Sequence, residues 1–266
     1  MIFSDLSYEI INKQAEGNIS AVLPLGAIEQ HGPHLAVSTD TSLVTRIASQ
    51  AEKLRPDKIL LCPTLPFGSS HHHLQFGGTL SLSITTYTQV VVDLVESLVQ
   101  NGFNRIILLN GHGGNIVPGK QALAVLNDKN DKTSTSNIVL ATYWELAGDA
   151  FTKGSLMESP ALSHACEYET SLLLHLFPEK VNMKKAERAT RPDPNWYIPY
   201  EEESPYRGVS THKPTQFISN NGSSGEPQLA TTEKGKYLFD HAVQCLVKFV
   251  DSFCNWPFLI NLKSNE

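Results

Sequence analysis

The amino-acid sequence predicts an α/β fold built around a doubly wound, mostly parallel sheet. Two observations lead there. Short runs of Val, Ile and Leu without polar alternation recur along the chain, the pattern of strands covered by helices on both faces. Between them lie segments with apolar residues at i, i+3, i+4 and i+7, the signature of amphipathic helices. Alternating strands and helices pack as a parallel sheet through right-handed crossovers. A chain of 266 residues suffices for one such domain with a large core.

The first strand candidate is Ser20–Leu25, an apolar run that leads into GAIEQHGPHLAVSTD at 26–40. Thr39 and Asp40 then open a helix that ends near Leu54. A second strand candidate spans residues 58–62. Tyr87, Val90, Val91, Leu94 and Leu98 follow the helical rule, and Asn101-Gly102 stops that segment. Arg105–Asn110 and Asn137–Thr142 are the remaining strand candidates, the former ending in NGHGGN at 110–115. The stretch SHACEYETSLLLHLF at 163–177 reads as one helix with Leu172, Leu173 and Leu176 toward the core, and Ala242, Cys245, Leu246, Phe249, Val250 and Phe253 mark the last helix. Residues 187–227 differ, holding six of the 15 prolines and an acidic EEE run at 201–203. We read them as a long excursion within a single domain 1–266, lying over the site or at a subunit contact.

Composition excludes several functions. A formal charge of −6 argues against a general nucleic-acid binder, which needs a basic face to meet phosphates. The cysteines Cys62, Cys166, Cys245 and Cys254 form no CxxC pair, and a chain of this length needs no disulfide framework. Cys166 reads as a packing residue, since no activating base is fixed beside it. The opening MIFSDLSYEI has no basic segment before an apolar one, and no apolar run approaches the roughly 18 residues of a membrane span. A cytoplasmic location without membrane partners is the expectation.

In an open parallel sheet, ligands bind beyond the carboxyl ends of the strands. Glu29, His31 and His34 follow one such end, His112 follows another, and Asp40 stands at the start of the helix behind the first. In the 163–177 segment, a helix places His164 and Glu167 on one face, with Glu169 about 200° around from Glu167. The apparent site is therefore Glu29, His31, Asp40, His112, His164 and Glu167. Singly, each has a plainer role: Asp40 suits a helix start, and a lone histidine is usually only hydrogen-bonded. Together, three carboxylates and two imidazoles suit a pair of divalent ions, zinc, manganese or iron. Two such ions about 3.5–4 Å apart would hold a hydroxide between them. The glycines around His112 are expected to let the backbone approach the ions without Cβ clashes. Of the three histidines at 71–73, consecutive side chains diverge, so at most one or two can share a site.

LPLGAIEQHGPHLAVSTD, NGHGGN, HACEYETS and GSSGEPQLATTEKG at 222–235 occur in the order and spacing of one family. The chain resembles the creatininase, or creatinine amidohydrolase, family, over roughly residues 20–235. HHHLQFGGTLSL at 71–82 resembles a fifth block, with Gly77 where that family usually has proline. The resemblance implies a three-layer α/β/α sandwich and a homo-oligomer, often a hexamer. It implies two metals bridged by Asp40, one completed by Glu29 and His112, the other by His31 and Glu167. It makes His164 the histidine that handles protons during amide cleavage.

Two departures bear on substrate. Creatininase has His-Tyr-Glu where this chain has His112-Gly113-Gly114, and the helix glutamate, taken as Glu167, would fill that ligand role. Creatininase also has a Trp-Asp pair where this chain has Pro160 and Ala161. Creatinine is thus expected to be a poor substrate, unless Trp144, Trp196 or Tyr197 supplies a replacement ring. The expected substrate is a small cyclic amide or a formamide, hydrolysed at a C–N bond. The alternatives are a formamide deformylase acting on a pyrimidine nucleotide-type intermediate and a metal-dependent peptidase of a peptide precursor. A phosphorylated substrate would call on Arg191, Arg207 or Lys213.

Overall fold

The structure is a computed structural model that describes residues 1–129, 132–152, 155–159, 162–190 and 215–258. Its helices are α1 (Tyr8–Ala15), α2 (Thr39–Leu54), α3 (Ile84–Gln100), α4 (Ile116–Asn127), α5 (Tyr143–Leu146), α6 (Glu167–Leu176) and α7 (Thr232–Phe253). The strands β1 (Ser20–Leu25), β2 (Ile59–Leu61), β3 (Arg105–Asn110) and β4 (Asn137–Thr142) form one parallel sheet in the order β2-β1-β3-β4.

Side chains that alternate along these strands enter two separate cores. Ala21, Leu23, Leu25, Ile106 and Leu108 point to one face, where they meet Val91, Val95 and Leu98 of α3 and Ala122 and Leu126 of α4. Val22, Ile107 and Leu109 point to the other, against Leu43, Val44 and Ile47 of α2, Leu172 and Leu173 of α6 and Leu246 and Val250 of α7. Both faces are thus covered, which is why these strands lack polar alternation, and the three-layer α/β/α sandwich follows. From β1 the chain crosses through α2 to β2, then returns through α3 to β3 on the far side of β1. The loops leaving β1 and β3 therefore diverge, and a crevice opens between their carboxyl ends.

Three elements differ from their sequence patterns. β2 stops one residue short of each end of the 58–62 run. α4 carries Pro118 and Gly119 close to its start, a weak helix signal, yet Pro118 sits in the first turn, where its missing N–H has no helical partner to lose. The helix read over 163–177 begins only at Glu167, because Ala165 takes a left-handed φ of 51° and the backbone breaks there.

The end of α7 is tied to the sheet by one buried arginine. Arg105 donates from Nε to Asn18 Oδ1 (2.9 Å), from Nη1 to Phe253 O (2.9 Å) and from Nη2 to Trp256 O (2.7 Å). Its guanidinium also lies 4.2 Å from the Phe258 ring centroid. Charge-assisted bonds of this kind contribute more than neutral ones, and an ammonium cannot reproduce the fork. Arg105→Ala is expected to cost about 2–4 kcal/mol in urea unfolding, and Arg105→Lys to recover little of it.

Candidate metal centre

The loop that follows β1 is pinned at several points. Glu29 N–H donates to Val37 O (3.0 Å), Ile28 bridges to Leu80, and Leu35 bridges to Val181. This holds Glu29 and His31 over the carboxyl edge of the sheet, both buried. His112 arrives from the end of β3, and Asp40 from the first turn of α2, where the helix dipole favours a carboxylate.

Asp40 is the hinge of the arrangement. Its Oδ1 lies 3.1 Å from His31 Nε2 and its Oδ2 lies 3.0 Å from His112 Nδ1. One carboxylate thus offers an oxygen to each of two groups of potential ligands, Glu29–Asp40–His112 and His31–Asp40–Glu169, whose donor atoms lie within 4.8 Å of one another in each group. His31 gives its Nδ1 proton to the Glu29 carbonyl (3.1 Å), which leaves Nε2 as the atom facing the group.

Electrostatics show what this pocket lacks. Burial pushes the Glu29 and Glu169 carboxyls up to about 7. Burial also opposes ionisation of Asp40, but His31 and His112 outweigh it and hold Asp40 well below the carboxylate range. Burial disfavours charge on the two histidines as well. Asp40 outweighs it at His31, raised to about 10, and Glu29 with Asp40 does so at His112, raised to about 9. Even so, Glu29 Oε2, His31 Nε2 and Asp40 Oδ2 are buried and, although each has a charged neighbour 3.0–3.3 Å away, none makes an aligned hydrogen bond among the described residues. Orphaned buried donors and acceptors are costly. Three oxygen-rich side chains and two imidazoles with atoms turned inward fit divalent cations of the zinc or manganese type.

Of the six residues read as a site, the structure gathers Glu29, His31, Asp40, His112 and His164, and it leaves Glu167 out. The Glu167 carboxylate faces away, accepting from Lys234 Nζ (2.5 Å) and from the Glu158 and Ser159 N–H groups (3.2 and 2.7 Å). Glu169, two residues on and so on the other side of α6, takes its place, 3.9 Å from His31 Nε2. The angular separation of the two glutamates was legible in the sequence, but which of them faced the sheet edge depended on where the helix began. Helical phase extended back to His164 favoured Glu167, whereas the break at Ala165 removes that phase, and the Ala165 N–H instead donates to Glu169 Oε2 (2.5 Å).

His164 stands across the pocket. Its Nε2 lies 2.8 Å from the Gln30 carbonyl oxygen and 3.1 Å from the Gln30 side-chain nitrogen. The two amide hydrogens of Gln30 are taken by His73 and Gly222, so the shorter contact to the carbonyl places a proton on Nε2. Nδ1 faces Glu29 Oε1 at 3.4 Å. Burial, followed by His31 and His73, holds its pKa well below the usual histidine value. His34 lies outside the cluster, with Nε2 at 3.1 Å from Thr170 Oγ1. The Cys166 thiol is pushed up to about 12 by burial, in keeping with a packing role. Gly114 leaves room for the backbone around His112: a Cβ there would stand 2.2 Å from the Ser69 carbonyl oxygen and 2.4 Å from His112 Nε2. Pro160, Ala161, Arg191, Trp196, Tyr197, Arg207 and Lys213 lie outside the described residues, as does most of the 187–227 excursion.

The family model for creatininase, described as creatinine amidohydrolase, matches residues 4–250. The chain belongs to the creatininase family, and it is a hydrolase of the creatinine amidohydrolase type, acting on C–N bonds. It is 29% identical over 246 residues to a mycofactocin precursor peptide peptidase of Mycobacterium tuberculosis, covering 90% of this chain and 87% of that one. It is also 29% identical over 243 residues to the creatinine amidohydrolase of Pseudomonas putida, covering 86% and 88%. A creatininase crystal structure superposes with a TM-score of 0.78 at 23% identity, covering 96% of this chain and 98% of that one, which confirms the fold.

The two glutamates of α6 give a direct test. Glu169→Gln is expected to lower bound metal by about one ion per chain, measured by elemental analysis after zinc loading and desalting. Glu167→Gln is expected to leave metal content at the wild-type value while lowering stability by about 3 kcal/mol, because Lys234 would lose its buried counter-charge.

Proposed function

We propose that this protein is a two-metal amidohydrolase that cleaves a C–N bond in a small cyclic amide or formamide. The observation that carries this reading is the Asp40 carboxylate, with one oxygen toward each ligand group, opposite a histidine whose Nδ1 is turned into the pocket. Glu29, Asp40 and His112 would hold one ion, and His31, Asp40 and Glu169 the other. When bound, such ions supply a water-derived nucleophile and polarise the scissile carbonyl. Zinc and manganese, with iron as a third choice, suit these donors.

The chain's own residues then handle the leaving group. An amine anion is a poor leaving group, so a proton must reach the nitrogen as the C–N bond breaks. His164 is anchored by its Nε2–H to the Gln30 carbonyl, which leaves Nδ1 unprotonated at rest. Nδ1 would first take the proton released by the attacking water and then pass it to the departing nitrogen as the C–N bond breaks. Burial of Glu29, His31 and Asp40 keeps bulk water from the reacting carbonyl.

Creatinine is expected to be a poor substrate, since Pro160 and Ala161 replace the Trp-Asp pair of creatininase. A second reading, a peptidase of a peptide precursor, is favoured by the similarity to the mycofactocin precursor peptide peptidase. We further propose that the protein is cytoplasmic and assembles as a homo-oligomer, a hexamer by family resemblance. Among the described residues, no helix is long and apolar enough to cross a membrane.

Two experiments test the reading. Zinc- or manganese-loaded enzyme should carry about two ions per chain by elemental analysis, and Asp40→Ala should lose both. In the same preparation His164→Ala should keep its metals and lose on the order of 10²–10⁴ in rate. A His164 variant that sheds an ion would make it a ligand instead. In steady-state assays across creatinine, formamides, small lactams and short peptides, a formamide or lactam should be turned over at least ~30-fold more efficiently than creatinine, equivalent to about 2 kcal/mol of transition-state binding. Peptide turnover above all others would establish the second reading.

A further inference from the structure

The triple histidine at 71–73 brings two side chains to the centre: His72, which stacks on His112 with centroids 6.1 Å apart, and His73, and with Glu29 they form a further group of donor atoms within 4.8 Å. His71 and His72 are exposed, whereas His73 is buried. Its nearest partner is the Gln30 side chain, whose orientation is unambiguous. Gln30 Oε1 accepts from Gly32 N–H (2.9 Å), and Nε2 donates to the Gly222 carbonyl (2.9 Å). Nε2 is therefore a donor, and its 2.7 Å contact with His73 Nδ1 makes that ring nitrogen the acceptor. Thr215 Oγ1 lies 3.1 Å from the same nitrogen. A neutral His73 then carries its proton on Nε2, the atom that faces Glu29 Oε1 at 3.5 Å. The other Glu29 oxygen, Oε2, is turned toward His112 (3.3 Å) and is buried without a hydrogen-bond partner among the described residues.

We propose that His73 is a positioning residue that holds Glu29 through its Nε2–H, so that one carboxylate oxygen is restrained and the other is presented to the ion shared with Asp40 and His112. This rests on the two-metal reading of the centre. A ligating carboxylate is commonly oriented by a second hydrogen-bonded group, and losing that group typically costs 10–100-fold in metal affinity. The chain runs Gly222–Gln30–His73–Glu29, and it begins at a backbone position that only glycine fits. Gly222 has φ of 88°, and a Cβ there would stand 2.1 Å from Gln30 Oε1. The same His73 ring stacks on His164, with centroids 4.1 Å apart, so Glu29 and the proton-carrying histidine share one support. His73 and His72 stand close enough to Glu29 to form a ligand group of their own. In the proposed tautomer, however, the Nδ1 lone pair of His73 is committed to Gln30 and its Nε2 carries the proton, so His73 supports Glu29 and does not ligate.

The test uses the full-length zinc protein. His73→Phe keeps the ring stack and removes both nitrogens, while His73→Gln restores a donor near the position of Nε2. In competition titrations with a chromophoric zinc chelator, wild type should show two ions. His73→Phe should weaken one of them about 10–100-fold and leave the other within about threefold, and His73→Gln should recover most of the loss. Long-range proton–nitrogen NMR of the zinc-loaded protein should report the Nε2–H tautomer for His73. Two undiminished ions in His73→Phe, equal weakening of both, or an Nδ1–H tautomer would overturn the inference and leave the metal centre standing. A wild-type protein that binds no zinc would overturn the metal reading and this role together. If His73→Phe does not fold, the tautomer measured in wild type still decides.

Discussion

Three carboxylates share one pocket, and the cost of burying their charge is the constraint around which the rest of this centre is arranged. Glu29 and Asp40 are almost fully enclosed, and Glu169 is half-buried at the rim. Such a cluster persists only if positive charge is supplied on site. His31 and His112 supply it in part, each held well above the ordinary histidine value by the carboxylates around it. The unpartnered oxygens and nitrogen that remain mark where further charge belongs. Two divalent cations would answer that demand and displace the histidine protons as they bind.

The fold delivers these groups from four separate elements, which explains how the chain concentrates charge without building it into any one segment. β1 and β3 are neighbours in the sheet, but the connections that follow them leave in different directions. Their carboxyl ends therefore face a shared crevice rather than a packed crossover. α2 adds Asp40 at its N-terminal end, where the peptide dipoles offset part of the cost of burying a carboxylate. α6 adds Glu169 from behind a backbone break. Beneath the crevice β1 and β3 are buried along their whole length, so their carboxyl ends are firmly held.

The two glutamates of α6 face different surroundings. Glu169 faces His31, while Glu167 pairs with Lys234 of α7 and takes the N–H groups of Glu158 and Ser159. Lys234 also donates to Glu158 and to the Leu229 carbonyl, so one buried ammonium joins α7, the 155–159 segment and the start of α6. That joint stands next to the backbone carrying His164. On the other side, the 219–225 loop clamps the same histidine, with Ser224 Oγ accepting from His164 N–H (3.1 Å) and Ser224 N–H donating to the His164 carbonyl (2.9 Å). His164 is thus positioned by backbone contacts as well as by its Nε2 contact with the Gln30 carbonyl, and its Nδ1 faces Glu29.

The sequence alone determined the layered α/β architecture, three of the four strands with their boundaries, and most of the side chains gathered at the candidate metal centre. These properties are local or periodic. Covered strands show unbroken apolar runs, and ligands cluster where such runs end. The fourth strand, β2, came out shorter than its apolar run, and α4 was hidden by a proline that only its place in the first turn makes harmless. What tertiary structure alone decided was the partner of each charged group. Glu167 and Glu169 are chemically identical and two residues apart, so composition could not rank them. The left-handed turn at Ala165 and the approach of Lys234 from 67 residues away set the choice. His73 was equally indistinct among three consecutive histidines until the fold placed it between Gln30 and Glu29. Periodicity reports which way a residue faces within its own element; it holds no information about what another element brings to meet it.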